Sequence, residues 1–239
     1  MILAAGRGSR MRPLTDTCPK PLLEVHGQPL MQWPMQALYD NGFKRLVINT
    51  AWLGEQIEAK FSDWTSSHPA AQLHFSHEGR DFGAALETAG GIARALPHLG
   101  DVFWVLAGDI YAPDFVFDHS EVARFIASNQ LAHLWLVPNP AHNPLGDFGL
   151  DANGLLVNQA DTRLTYSTIG LYRRELFEQP WCDVPMGNVD GTVAALAPVL
   201  RSAITAGEIS GSVYAGAWTD VGTPERLAAL NRLAPHPES

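Results

Sequence analysis

The chain has 239 residues, 46% of them hydrophobic and 17% charged, and carries a formal net charge of −9, the profile of a water-soluble globular protein. No apolar run approaches the roughly 20 residues needed to cross a bilayer, and the acidic balance argues against a nucleic-acid binder, which needs a broad field of Lys and Arg. The start, Met1-Ile-Leu-Ala-Ala-Gly6, lacks the basic, apolar and cleavage regions of a secretory signal, so a cytoplasmic protein is expected. Cys18 and Cys182 are the only cysteines, too few for a disulfide scaffold and without metal-ligand spacing, which reads as two reduced thiols.

Short β-branched runs alternate with amphipathic stretches, the pattern of βα units feeding a mostly parallel sheet. Strands are predicted over 2–5, 45–49, 73–76, 102–106 and 134–137. Helices are predicted over 30–41, 53–61, 87–96 and 121–129, the first turning Leu30, Trp33, Ala37, Leu38 and Tyr39 inward and stopped by Gly42. In the second half, segments 147–150 and 155–158 flank Asn153-Gly154, a two-residue hairpin signal. Further strands are expected over 165–172 and 212–215, and helices over 193–206 and 224–233, the last with Pro224 in its first turn and Thr223 as cap. One domain over 1–234 and a frayed tail over 235–239 complete the organisation.

The first strand runs into Leu3-Ala-Ala-Gly-Arg-Gly-Ser-Arg10-Met-Arg-Pro-Leu14. Arg7, Arg10, Arg12 and Lys20 all fall within the first 20 residues with a single acid, Asp16, although the chain has only three lysines. A strand followed by a Gly-x-Gly turn brings backbone N–H groups against phosphate oxygens. The third glycine of a dinucleotide fingerprint would fall at Met11, and no Gly-Lys-Ser/Thr occurs, so this is neither of the two commonest phosphate loops. A plain turn with solvated arginines is the bland alternative. Against it stands Cys18-Pro-Lys-Pro21, where prolines on both sides of Lys20 stiffen the backbone around a lysine suited to a fixed anion.

The stretch Leu3-Ala-Ala-Gly-x-Gly-x-Arg10-x-x-Pro-Leu-Thr15 followed by Pro19-Lys20-Pro21 resembles the signature of the sugar-1-phosphate nucleotidyltransferases. Glu87-Thr-Ala-Gly-Gly91 is similar to that family's second glycine-rich stretch, Ala107-Gly108-Asp109 to its strand-end metal aspartate, and Trp218-x-Asp220-x-Gly222-Thr to its second metal position. The resemblance implies a Rossmann-like, mostly parallel sheet flanked by helices, with a smaller antiparallel sugar-side lobe. It implies catalytic Arg10, Lys20 and Asp109, and a nucleotide site at Leu3, Ala4, Ala5, Gly6, Gly8, Ser9, Arg10, Lys20, Ala89, Gly90, Ala107 and Gly108, with main chain at Gly6, Gly8 and Gly90. It implies Mg²⁺ on Asp109 and Asp220, and sugar-side substrate contacts at Asp147, Gly149, Ser167 and Thr168, with a turn-stabilising role as the alternative for Asp147.

The chemistry is consistent with those residue types. Asp109 and Asp220 each follow an apolar or aromatic stretch, as carboxylates do at strand ends where open α/β sheets bind ligands, although a turn-capping role is the plain alternative. Mg²⁺ takes one or two protein carboxylates and fills its shell with phosphate oxygens and water. A sugar 1-phosphate already carries about −1.5 to −2 charge, so its oxygen attacks without a general base and no catalytic His or Cys is demanded.

Within the family, the segments at 206–211 and 215–227, with Gly146-Asp-Phe-Gly149, resemble the N-acetylmuramate-1-phosphate uridylyltransferases of cell-wall recycling. No lysine follows Lys60, unlike the relatives that hold their sugar phosphate with a Glu-Lys-Pro lysine. Mannose-1-phosphate guanylyltransferases are the runner-up, and a non-catalytic nucleotide-sugar sensor is a more distant alternative. The partners expected are a nucleoside triphosphate and a sugar 1-phosphate, with neither nucleic acid nor membrane.

Overall fold

The computed structural model describes residues 1–233; the tail expected over 235–239 lies outside the described residues. In chain order the first elements are β1 (Ile2–Ala4), β2 (Glu24–Val25), β3 (Gln28–Pro29), α1 (Gln32–Asp40), β4 (Arg45–Thr50), α2 (Gly54–Ser67), β5 (Gln72–His77), α3 (Glu78–Phe82) and α4 (Glu87–Ala95). There follow β6 (Val102–Ala107), β7 (Ile110–Tyr111), α5 (His119–Ala127), β8 (Ala132–Val137), β9 (Gly149–Leu150), β10 (Leu156–Val157) and β11 (Thr165–Arg173). The last are α6 (Leu196–Thr205), β12 (Ile209–Val213), β13 (Thr219–Asp220) and α7 (Pro224–Arg232). The described residues group into two compact units, one holding 86–106 and 118–215 and the other 2–85, 107–117 and 216 onward. The strand order is β12-β8-β11-β6 in the first unit and β1-β4-β5 in the second.

In the second unit β1, β4 and β5 are parallel, with Ile2 opposite Ile48 and Ile48 opposite Phe75. Leu46, Val47 and Ile48 are buried, as a strand covered on both faces requires. Helix α1 buries Pro34, Met35 and Leu38, so the expected inward stripe is shifted: Trp33, Ala37 and Tyr39 are only half-buried. Trp33 donates its indole N–H to the Val25 carbonyl, 3.2 Å, an amphipathic ring at the edge of the packed face. Gly42, at φ 91°, ends the helix with its N–H on the Tyr39 carbonyl.

In the first unit β12 is parallel to β8, while β11 runs antiparallel to both β8 and β6, which makes the sheet mostly parallel with one reversed strand. The β9–β10 pairing sets Leu150 opposite Leu156, so the turn between them is five residues long and not the expected two. Asp151 closes it: its carboxylate accepts from the N–H groups of Asn153 and Leu155, both 2.8 Å, an Asx-type cap that wins over the Asn-Gly signal. Helix α6 starts at Leu196, three residues later than expected, because Thr192 and Ala194 are already bonded to Asn188 and Leu86. The strand expected over 212–215 lies earlier, at β12, whose small Gly211 fits against Leu156. Arg173 ends α5, its guanidinium donating to the carbonyls of Phe125, Ile126, Ser128 and Gln130 at 2.8–3.0 Å, a cation at a helix C-terminus.

Candidate active site

The glycine-rich loop leaves β1 from a fixed origin. The Ala4 N–H donates to Asn49 Oδ1 (2.9 Å), and Asn49 Nδ2 donates to Oε1 of the fully buried Glu78 (2.7 Å). Beyond Ala5 the chain opens: Gly6 is exposed, with no atom within 4 Å of the place a Cβ would take. Gly8 is left-handed, φ 64°, and a Cβ there would meet Thr15 Cγ2 at 3.1 Å and Lys20 Cβ at 3.2 Å, so this glycine lets the loop close over the lysine. Ser9 and Arg10 follow in one 3₁₀ turn, both exposed. Arg7 and Arg12 each pair with Asp16 at 3.1 Å, and among the described residues no hydrogen bond or ion pair engages the Arg10 guanidinium. Of the three loop arginines, Arg10 is the one whose charge no carboxylate has claimed.

Lys20 sits between extended Pro19 and a single 3₁₀ turn, and its ammonium pairs with Asp109. It is 8% exposed, a buried lysine whose charge needs a partner, and not a side chain reaching through solvent. Asp109 reaches it because the Gly108 N–H bonds the Leu3 carbonyl at 2.8 Å, and a Cβ on Gly108 would sit 3.1 Å from that same oxygen. Leu3, Gly108 and the Lys20–Asp109 pair are thus brought together, with Ala107 closing β6 just before.

Asp220 enters from the far end of the sequence. Strand β13 pairs with β7, setting Asp220 opposite Ile110, and the Val221 N–H donates to the Asp109 carbonyl at 2.9 Å. Asp109 immediately precedes β7 and Asp220 lies in β13, so the two residues are neighbours through the backbone. Arg226 Nη1 holds Asp220 twice, at the backbone oxygen (3.0 Å) and at Oδ1 (2.5 Å), and the guanidinium lies over Gly222, where a Cβ would come within 2.8 Å of Nη2. Thr223 caps α7 by accepting from the Arg226 N–H at 3.3 Å. Among the described residues no group of three or more His, Cys, Asp or Glu is placed to hold a metal by itself; the donor chemistry of Asp109 and Asp220 fits a hard cation that takes one or two protein carboxylates and borrows the rest of its shell from phosphate and water. Cys18, close by in sequence, has its thiol pushed up by burial and by Glu24, so it is held neutral.

The other predicted residues lie in the first unit. Ala89 and Gly90 are buried in α4. Gly90 donates its N–H to the Ala194 carbonyl (3.0 Å), its carbonyl accepts from Asn188 Nδ2 (3.0 Å), and a Cβ would stand 2.5 Å from the Thr192 oxygen. The main chain expected to meet the nucleotide at Gly90 is already committed to the chain itself. Asp147 Oδ2 accepts from the Tyr166 N–H (2.8 Å) and Oδ1 from Asn143 (3.2 Å), which shapes the turn before Gly149. Gly149 itself is packed on Ala160 and Val157. Ser167 is fully buried, donating to the Trp135 carbonyl (2.7 Å) and accepting from the Ile169 N–H (3.2 Å), so its hydroxyl offers a substrate nothing. Thr168 differs: in the irregularity between Tyr166 and Gly170 it takes φ 64°, and its buried Oγ1 has no hydrogen-bond partner. A β-branched residue held left-handed with an orphaned hydroxyl is a strained position of the kind found at ligand sites.

The description Nucleotidyl transferase matches residues 1–159. The chain belongs to that family. This nucleotidyltransferase is 45% identical over 237 residues, 98% of its length and 97% of the relative's, to the N-acetylmuramate alpha-1-phosphate uridylyltransferase of Neisseria meningitidis serogroup B. It is 30% identical over 252 residues, 98% of its length and 96% of the relative's, to the protein of the same name from Caulobacter vibrioides. In fold it is similar to HddC from Yersinia pseudotuberculosis complexed with GMP-PN, with a TM-score of 0.72, 19% identity and coverage of 96% of both chains. No helix of the described nucleotidyltransferase is long and apolar enough to cross a membrane. Sequence reasoning overlooked Arg226, Asn49 and Glu78 as parts of the site. For Arg226 a signal was present, since an arginine four residues after Gly222, one turn into a helix opened by Thr223-Pro224, returns to the preceding strand end.

Proposed function

We propose that this enzyme transfers a uridylyl group from UTP to N-acetylmuramic acid 1-phosphate in the cytoplasm, in cell-wall recycling. A phosphate oxygen of the sugar 1-phosphate bonds to the α-phosphorus, the bond from that phosphorus to the bridging oxygen breaks, and pyrophosphate leaves with the electron pair. The observation that carries this reading is the meeting of Lys20 and Asp109, one from each of two motifs 89 positions apart, under a glycine-rich loop. The names of the two relatives that align over almost the whole chain support the choice of base and sugar.

The residues present fit Mg²⁺, which Asp109 and Asp220 would hold, and which would supply charge neutralisation at the α-phosphate. The protein's own part is positional and electrostatic. Arg10 and Lys20 offset the β- and γ-phosphates, and the open backbone at Gly6 admits the triphosphate. The test is a matrix of the four nucleoside triphosphates against several sugar 1-phosphates, scored by nucleotide-sugar formation. UTP with N-acetylmuramate 1-phosphate should be the fastest pair; faster turnover of GTP with mannose 1-phosphate would overturn the substrate assignment and leave the reaction class standing.

A further inference from the structure

Two of the loop's cations, Arg7 and Arg12, pair with Asp16, and the way Arg7 is held points beyond the motif. The Arg7 guanidinium lies 3.6 Å from the centre of the Trp52 ring, a cation–π stack. From there Nη1 donates to the Thr15 carbonyl (2.7 Å) and Nη2 reaches Asp16 (3.1 Å). Trp52 Nε1 donates to the same Thr15 carbonyl at 2.9 Å. Thr15 is fully buried, and its hydroxyl donates to the Gly8 carbonyl at 2.8 Å. One carbonyl therefore takes two donors, and the residue that owns it fixes the left-handed glycine above Lys20.

Trp52 comes from neither glycine-rich stretch. It belongs to the turn between β4 and α2, where Leu53 takes φ 51° and Gly54 packs against Thr50 so tightly that a Cβ would lie 2.9 Å from it. A bulky residue rarely takes left-handed backbone, because its Cβ crowds the following carbonyl oxygen. Leu53 is the residue next to the stacking ring, and the conformation it takes is the one that brings Trp52 to the loop. Gln56, one turn further on, adds a donor to the Thr17 carbonyl at 3.1 Å.

We infer that Trp52 and Arg7 are positioning residues for the triphosphate: they clamp residues 6–16 in the shape that leaves Arg10 and the Gly6 backbone open. The inference rests on the proposed nucleotidyl transfer. With the loop already ordered, a nucleotide does not have to pay the entropy of ordering it, so the clamp acts on nucleotide affinity more than on the chemical step.

The test measures the dissociation constant of a non-hydrolysable UTP analogue, KM and kcat, and amide hydrogen exchange over residues 6–16, for the wild type, Trp52→Ala, Trp52→Phe and Arg7→Lys. Trp52→Ala should raise Kd and KM by about tenfold or more with kcat changed by less than about threefold, the split expected when ordering is lost before the transition state. Its loop amides should exchange faster while those of the parallel strands do not. Trp52→Phe keeps a ring for stacking and loses the indole donor, so an intermediate rise is expected; Arg7→Lys keeps the charge and loses the planar stack, with a similar result. If Trp52→Ala fails to fold, these two variants carry the decision. An unchanged Kd in the variants beside a wild type that binds and turns over would overturn the clamp alone. A wild type that binds no nucleoside triphosphate would overturn the proposed function and the clamp with it.

Discussion

Asp109→Asn separates the structural from the chemical role of the buried pair. Lys20 is 8% exposed and Asp109, by its side chain, 34%, so the two partners do not lose equally when the other is removed. Taking the carboxylate away strands an ammonium in a dry site. Breaking a fully buried pair costs about 3–5 kcal/mol; solvent reaching Asp109, and the remaining Asn oxygen as an acceptor, reduce that to about 2 kcal/mol. Lys20→Met removes the ammonium but keeps an unbranched stem against Gly8, and it leaves behind a carboxylate that water already reaches, at a cost below about 1 kcal/mol. The stability order is therefore Asp109→Asn worse than Lys20→Met, with a coupling of about 1–2 kcal/mol in the double mutant. Both single variants should lose on the order of 10² or more in kcat. Urea denaturation of the four proteins, with turnover measured on the same preparations, checks both halves. Equal stabilities of the two single variants, or additivity within about 0.3 kcal/mol, would refute the buried-charge reasoning; full activity of Asp109→Asn would remove it from the reacting centre.

Arg226→Met should leave the Asp220 carboxylate free to turn away from its neighbour, raising the divalent-ion concentration needed for half-maximal rate by several-fold, read by titration of Mg²⁺ at fixed UTP. Gly90→Ala should destabilise by about 2–3 kcal/mol, because its Cβ would be driven to 2.5 Å from the Thr192 oxygen; a melting temperature equal to that of the wild type would count against the tight strap. His133 bridges Ser210 (2.9 Å) and Ser212 (3.0 Å) through its two ring nitrogens, and burial, then Arg124, lowers it to about 4. With an ordinary value of about 6.5 in the unfolded chain, its contribution is present above that pH and lost as pH falls from about 6.5 to about 4, at most about 3 kcal/mol in all; His133→Gln should flatten that part of the stability curve.

What could be read from the sequence was whatever local chemistry decides. The strands over 45–49 and 102–106 were visible because strands buried on both faces are uninterrupted apolar runs, and the α7 start because Thr223 and Pro224 cap and open a helix by their own groups. The position of the Asn153-Gly154 turn was visible but not its length, since the decisive side chain is Asp151. The first residues of α6 were misjudged because Asn188 holds Thr192 in a loop through two hydrogen bonds, one from its Nδ2 and one to its Oδ1, while Nδ2 also ties the loop to the Gly90 carbonyl, and this tertiary tie leaves no periodic signature. In the site, Lys20 and Asp109 stood out by motif, but that they form one buried pair did not, because nothing local reports contact across 89 positions. Trp52 was invisible for the same reason: a single tryptophan at the end of a strand is ordinary until its neighbour's backbone is seen to be left-handed.

The two glycine-rich stretches look alike in sequence and differ in what they leave open. At Gly6 a Cβ would meet nothing within 4 Å, so the absence of a side chain there has no packing explanation and fits a surface that a ligand approaches. At Gly90 the missing side chain is explained by the chain itself, which brings the Thr192 carbonyl into that space and takes both main-chain hydrogen-bonding groups. Glu87 lies between these cases: it takes φ 58° at the start of α4 and is exposed, a conformation glycine holds without cost and glutamate does not.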